Sequence, residues 1–285
     1  NYRSVPMDYV LEDARKLAAA GVKELNIVAQ ETTTWGKDIY GEKRLHQLLR
    51  ELCKVEGIHW IRLLYCYPEE ITDELIDVIR TEPKICHYLG MPIQHSSDAI
   101  LRRMGRRTSR IELETVIGKL RKAIPDITLR TTLITGFPGE TEEDHEDLKS
   151  FVRKMEFDRL GVFTYSPEED TPAATMKDQI PEELKEERRD EIMELQQEIS
   201  LDKGNQRIGQ EMLVMIGKTV EVLVEGRIPE EGVYVGRTYR DAPEVDGYIF
   251  LNAQEEMISG DFVTAEVTGA DEYDLTGDVI YEFTK

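Results

Sequence analysis

Short apolar runs alternate with amphipathic stretches along the first 165 residues. Runs rich in Leu, Ile, Val and aromatics at 24–30, 60–65, 88–93, 127–134 and 160–165 predict strands. Between them, apolar positions at helical spacing predict helices over 8–20, 44–55, 72–81, 110–123 and 142–155, several preceded by Ser, Thr, Asp or Pro, with Gly21 as the C-cap of the first. Repeated βα units imply a parallel sheet, open or closed into a barrel. Because the first pattern is a helix, the sheet is expected to lack an opening strand, with the chain beginning inside a domain. Residues 181–205 are charge-dense, with apolar positions at Leu184, Ile192, Leu195 and Ile199, and predict an amphipathic helix entered through Pro181. After Gly209 the period changes to two, predicting strands at 212–216, 219–225, 232–238, 247–251, 262–268 and 277–283 between Gly, Pro and Asp turns. The expected fold class is therefore α/β plus all-β. It comprises a partial βα barrel over 1–180, a linker helix over 181–207, and a small antiparallel β-barrel of about five strands over 208–285.

The segment Leu129-Arg-Thr-Thr-Leu-Ile-Thr-Gly-Phe-Pro-Gly-Glu-Thr141 joins a buried strand to a helix start. Gly136 and Gly139 let the backbone bend and approach a ligand, Pro138 stiffens the turn, and Thr141 with Asp144 reads as a helix N-cap with an acidic first turn. Polar residues also collect at other strand ends: Gln30-Glu-Thr-Thr33, Tyr65-Cys-Tyr67, Gln94-His-Ser-Ser-Asp98 and Tyr165-Ser166. In a βα barrel that rim carries the ligand site. Gln94 and His95 are candidates for a hydrogen-bonding pair, with a loop carbonyl as the alternative partner of His95. Arg130, inside an apolar strand, requires an anion, either a ligand carboxylate or a structural Asp or Glu. Phe163 and Tyr165 are placed either to stack on a planar ring or to pack.

Charge and cysteines narrow the reading. The 285 residues are 40% hydrophobic and carry a formal charge of −21. From residue 208 onward there are 17 acidic and 5 basic residues, a net of −12, so acidity is concentrated in the β-barrel. Such a surface favours a cationic partner over a polyanion. Cys53, Cys66 and Cys86 are odd in number and widely spaced, which fits neither a disulfide framework nor a zinc site. No run approaches the roughly 18 apolar residues of a membrane span, and the first residues carry no apolar signal core, so a cytoplasmic protein is expected. There is no phosphate loop ending in Gly-Lys-Ser/Thr, no His-Glu-x-x-His and no Gly-x-Ser-x-Gly, leaving hydrolase and nucleotidase readings unsupported.

Three segments taken in order, Val28-Ala-Gln-Glu-Thr-Thr33, Met91-Pro-Ile-Gln-His-Ser-Ser-Asp98 with Arg103-Met-Gly-Arg106, and Ile134-Thr-Gly-Phe-Pro-Gly-Glu-Thr141, resemble the radical S-adenosylmethionine methylthiotransferases. The resemblance covers essentially the whole chain. It implies an N-terminal domain with its own cluster, a radical-SAM partial βα barrel and a TRAM β-barrel, of which this chain corresponds to the last two. The family binds its radical-generating 4Fe-4S cluster through Cys-x-x-x-Cys-x-x-Cys, a motif absent here, and Cys53, Cys66 and Cys86 cannot replace it at their spacing. The chain alone is accordingly expected to be inactive, and no catalytic residue or metal ligand is assigned in it. Gly90 stands where members often have an acidic residue.

The resemblance further implies S-adenosylmethionine and two 4Fe-4S clusters in the intact enzyme, with a reductant as a further partner. The implied reaction is radical abstraction of a β-hydrogen from an aspartate, followed by coupling of a methylthio group. Gly236-Arg-Thr-Tyr-Arg-Asp-Ala-Pro-Glu-Val-Asp-Gly247 is similar to the TRAM sequence of members acting on small-subunit ribosomal protein twelve. The charge agrees, since a module holding tRNA places Lys and Arg against phosphate, whereas a net of −12 attracts a basic ribosomal protein. By the resemblance and their strand-end positions, Gln94, Arg130 and Thr132 are expected at the polar part of S-adenosylmethionine. Gly136 and Glu140 are expected beside the ribose and adenine, with Phe163 and Tyr165 on the adenine side. The alternatives are a tRNA adenosine methylthiotransferase of the same family or, for this chain alone, a non-catalytic protein-binding module.

Overall fold

Five strands lie side by side in chain order: β1 (Glu24–Ile27), β2 (Trp60–Leu63), β3 (Ile85–Gly90), β4 (Thr128–Thr135) and β5 (Arg159–Thr164). Every pairing is parallel, as βα connections require. The structure, a computed structural model, describes residues 2–206, 219–229, 231–271 and 274–281. The outer face of the sheet is covered by α1 (Met7–Ala19), α3 (Leu45–Cys53), α4 (Asp73–Thr81), α6 (Arg110–Ala123), α7 (Glu142–Met155) and α8 (Glu182–Gln206); α2 (Lys37–Tyr40) and α5 (Asp98–Arg103) are short turns of helix at the rim. Leu49, Leu52, Ile61, Leu63, Val78, Ile79, Leu89, Leu113, Leu129, Leu133, Leu148 and Ile192 are almost wholly buried in that one core. Each such side chain contributes roughly 1.5–3 kcal/mol.

The observed helices start and end within about two residues of the predicted positions. The larger shift is in β3, expected over 88–93 but running from Ile85 to Gly90. Pro92 has no N–H for the ladder, and Gln94, at φ +75°, turns the chain out of extended geometry. Neither α2 nor α5 shows a helical period, since both are too short to display one. Thr141 caps α7 in a reciprocal capping box with Asp144.

The second domain is a closed barrel of β6 (Thr219–Ile228), β7 (Val233–Arg237), β8 (Ile249–Asn252), β9 (Phe262–Ala270) and β10 (Leu275–Val279), in the order β10-β8-β7-β6-β9. It is mixed, which corrects the expectation of an antiparallel barrel: β10 runs parallel to β8. Period-two patterning is blind to direction, and closing the barrel between β8 and β9 sets the orientation of β10. The predicted strand at 212–216 lies outside the described residues.

The two domains meet over the concave face of the sheet. Trp60, Cys86 and Tyr88 pack against Leu223 and Ala242. Around them runs a chain of buried charges. Glu24 accepts from Arg62 Nε and from Arg237 Nη2, both at 2.7 Å, and Arg62 also donates to the Tyr239 carbonyl at 2.6 Å. Arg159 pairs with Asp241 at 2.7 Å, and Asp246 accepts from Tyr88 at 2.7 Å while facing Arg130 at 3.4 Å. Part of the acidity of the β-barrel therefore neutralises arginines of the sheet. No helix among the described residues is long and apolar enough to cross a membrane.

Candidate cofactor-binding site at the open rim

Side chains of β4 alternate between the two faces of the sheet. Leu129, Thr131, Leu133 and Thr135 are buried towards the helices, while Arg130, Thr132 and Ile134 are only partly covered. The register places Arg130 beside Arg159, Thr132 beside Gly161 and Ile134 beside Phe163 on the concave face. The β-barrel covers the N-terminal end of that face. The C-terminal end is open: Phe163 is 61% exposed, and Val28 and Tyr65 beyond β1 and β2 are 57% and 51% exposed.

Two rim residues hold left-handed backbone without being glycine, Gln94 at φ +75° and Tyr65 at φ +56°. Such a conformation costs on the order of 1 kcal/mol and persists where surrounding structure enforces it. At Gln94 the enforcement is visible. Its N–H donates to the Thr132 carbonyl at 3.0 Å, and its carbonyl accepts from Ile134 at 2.8 Å. The following serines tie the loop to α7, with Ser96 donating to Asp147 at 2.8 Å and Ser97 to Asp144 at 2.6 Å. Gln94 and Thr132 are thus adjacent through the backbone, at the edge of the open end.

The turn after β4 is occupied from within the protein. Glu140, 3% exposed, accepts from the N–H groups of Gly136 at 2.7 Å and Phe137 at 3.2 Å, and from Arg188 of α8 at 3.1 Å. Burial pushes its carboxyl up to about 7, against the pull of Arg188 and the two amides. Gly136, at φ +71°, is where α8 comes closest: a Cβ there would lie 2.1 Å from Lys185 Cγ. A Cβ on Gly139 would strike Asp178 and Arg103, which pair with each other at 2.7 Å. Close approach, expected from the glycines, is thus made by α8 and the Arg103–Asp178 pair. His95 is fully buried and faces Glu140 across 3.8 Å. It bonds neither Gln94 nor a carbonyl: its Nδ1 accepts from the Ser97 N–H at 2.9 Å. Burial pushes the imidazole down to about 4.

The predicted residues therefore separate into three groups. Gln94, Thr132 and Phe163 are at the open mouth. Gly136 and Glu140 form the wall behind it, together with Tyr165, which is 8% exposed, packs edge-on against Phe137 at 5.1 Å and keeps a buried hydroxyl without a partner. Arg130 is drawn to the covered end by Asp246. Sequence reading missed Glu24, Arg62 and Arg237, although Arg62 carries the same signal as Arg130, a cation within an apolar strand.

A parallel half-barrel with its open, polar end at the C-terminal rim is a βα-barrel scaffold of the kind that binds ligands at that rim. Residues 1–152 match the Radical SAM superfamily and residues 216–280 the TRAM domain, and the chain belongs to the Radical SAM superfamily. It is 60% identical over 277 residues to the ribosomal protein uS12 methylthiotransferase RimO of Lachnoclostridium phytofermentans, covering 97% of this chain and 61% of that protein. The proteins of the same name from Desulfitobacterium hafniense and Clostridium botulinum (strain Hall) are 48% and 51% identical, over 98% and 100% of this chain and 61% and 62% of their own lengths. The chain thus spans about three fifths of the length of these relatives. Among solved structures, coproporphyrinogen III oxidase (HemN) from Escherichia coli superposes with a TM-score of 0.52 at 21% identity, over 68% of this chain and 46% of that one, a likeness of fold.

The superfamily implies S-adenosylmethionine and a 4Fe-4S cluster. The cysteines present do not fit a cluster. They are free and dispersed, and burial pushes Cys53 up to about 11, Cys86 to about 12 and Cys66 in the same direction, as in inert buried thiols. Among the described residues no group of three His, Cys, Asp or Glu is placed to hold a metal. The open mouth offers an exposed aromatic ring at Phe163 and a neighbouring strand position without a side chain at Gly161, features compatible with a planar ring such as the adenine of S-adenosylmethionine.

Proposed function

We propose that the chain is the radical-SAM and TRAM portion of a cytoplasmic methylthiotransferase acting on an aspartate of small-subunit ribosomal protein twelve. The observation carrying this reading is the 48–60% identity, along essentially the whole chain, to proteins named for that activity. S-adenosylmethionine supplies the radical chemistry when bound. In this reading Phe163 offers its ring to the adenine, Thr132 and the backbone-locked Gln94 present polar groups to the rest of the molecule, and the Glu140–Arg188 pair keeps the turn behind them rigid. The full-length protein would carry two 4Fe-4S clusters on segments other than this chain and draw electrons from a separate reductant. The basic ribosomal protein would meet the acidic face of the β-barrel left free after docking, including Glu255, Glu256, Glu266 and Asp278, all exposed.

The test is mass spectrometry of ribosomal protein twelve incubated with cluster-reconstituted full-length protein, S-adenosylmethionine, a sulfur source and reductant. A methylthio mass increment on the aspartate supports the reading. The same increment on tRNA adenosine, with none on the protein, overturns it.

A further inference from the structure

His95 is wholly buried, yet it has no part in the function proposed above. Its Nδ1 accepts from the Ser97 N–H at 2.9 Å, and a backbone N–H can only donate, so Nδ1 carries no proton. The ring is neutral at physiological pH, with burial holding its pKa down to about 4. A neutral imidazole without a proton on Nδ1 carries it on Nε2, so one backbone contact selects the tautomer. The resulting Nε2–H is buried, has no acceptor within hydrogen-bond distance among the described residues, and faces Glu140 Oε2 across 3.8 Å. That is about 0.6 Å beyond the longest ordinary N–H···O bond, and a buried donor left unpaired costs roughly 1–3 kcal/mol, so closing the gap is favoured.

The two residues belong to different segments of the rim. His95 follows Gln94 in the loop after β3, and Glu140 closes the turn after β4. Glu140 is already the junction of that turn, its Oε2 accepting from Gly136 and Phe137 and its Oε1 from Arg188 of α8. The other charged or titratable groups around the imidazole are Asp144, His145 and Arg188. Asp144 is engaged by Ser97 and Thr141, and His145 by Glu191 at 3.0 Å. Among the described residues, Glu140 is the carboxylate that comes within 4.0 Å of a His95 nitrogen.

We propose that His95 is a positioning residue of the mouth: locked in one tautomer by Ser97, it donates from Nε2 to Glu140 and clamps the Gln94 loop to the Gly136 turn. Gln94 immediately precedes it and is tied through its backbone to Thr132 and Ile134, so the clamp sets where the rim holds its polar groups. Its bearing on S-adenosylmethionine rests on the function proposed above; the clamp itself does not.

The first test is imidazole nitrogen NMR of the 285-residue chain at about pH 7. His95 is expected to show a pyridine-like Nδ1 and a pyrrole-like Nε2; the opposite tautomer or an imidazolium overturns the proposal. Amide hydrogen exchange of two variants then separates clamping from packing. His95→Asn keeps an acceptor for Ser97 but has no donor for Glu140, so the Gly136 and Phe137 N–H groups should exchange about tenfold faster while Ser97 is unchanged. His95→Gln reaches as far as Nε2 but lacks the acceptor, so the pattern should reverse. If all three amides quicken alike in both variants, or Gly136 and Phe137 keep their protection in His95→Asn, His95 only fills space and the proposal falls. In cluster-reconstituted full-length protein, calorimetry should show S-adenosylmethionine binding about tenfold more weakly to His95→Asn than to wild type, with His95→Gln close to wild type. Equal affinity of His95→Asn and wild type overturns the role at the mouth. A wild-type protein that takes up no S-adenosylmethionine defeats the cofactor reading, and the clamp is then decided on the 285-residue chain.

Discussion

The two ends of the half-barrel are built from similar residues and behave oppositely. At the end covered by the β-barrel, Arg62, Arg159 and Arg237 meet Glu24, Asp241 and the Tyr239 carbonyl within 2.7 Å, and these side chains are almost wholly excluded from solvent apart from that of Arg159, 23% exposed. At the open rim, Gln94 and Thr132 are only partly covered and Phe163 is exposed. Arg130 and Thr132 are two residues apart on one face of one strand, yet fall on opposite sides of this divide. Polarity in a strand thus announces a partner without saying which: a second domain answers at one end, and a ligand is left to answer at the other.

The hardest way to break this contrast is at the covered end. Glu24→Gln leaves two buried guanidinium groups without their shared carboxylate, and should lower stability by about 3–5 kcal/mol in denaturant titration. A loss below about 1 kcal/mol would mean that the network is solvated and the two ends are alike. At the wall behind the mouth, Gly136→Ala places a methyl against Lys185 at a left-handed φ and should cost about 2–3 kcal/mol, read as a fall in melting temperature.

The buried His95 gives a pH-dependent effect of similar size. Its folded-state value is lowered from 6.5 to about 4, so the neutral ring is favoured by the fold. The contribution is complete above about pH 6.5 and is lost as pH falls towards 4, amounting to roughly 2–3 kcal/mol. Glu140 is shifted upward, so its contribution runs the other way: present at low pH, it is lost as pH rises towards about 7. The wild-type curve is therefore blunted, and the difference between wild type and His95→Asn isolates the histidine. A difference that is flat between pH 4 and 6.5 would remove His95 from the buried wall.

The finest separation comes from two residues that sequence reading assigned to one ligand. Arg130→Met should cost about 1–2 kcal/mol through the loss of one of Asp246's three partners while leaving S-adenosylmethionine affinity of the reconstituted full-length protein unchanged. Phe163→Ala should leave stability within about 0.5 kcal/mol and weaken that affinity up to about tenfold. Titration calorimetry and melting of both variants decide it, and the reverse pattern would place Arg130 at the mouth.

Local pattern determined most of the fold. Helical and two-residue periods are properties of neighbouring side chains, so the five βα units, the long helix at 182–206 and the β-barrel that follows are legible in the sequence alone. So are the capped turn at Thr141 and the Radical SAM character carried by the segments around Glu31, Gln94 and Glu140. Only the tertiary structure decided what each polar residue meets. Nothing near Arg130 in the chain predicts Asp246, nothing near Gly136 predicts Lys185, and the parallel orientation of β10 follows from closing a barrel. These outcomes depend on pairs separated by tens of residues, and a charge or a glycine records that a close partner is needed without encoding whether that partner is the protein itself or a ligand.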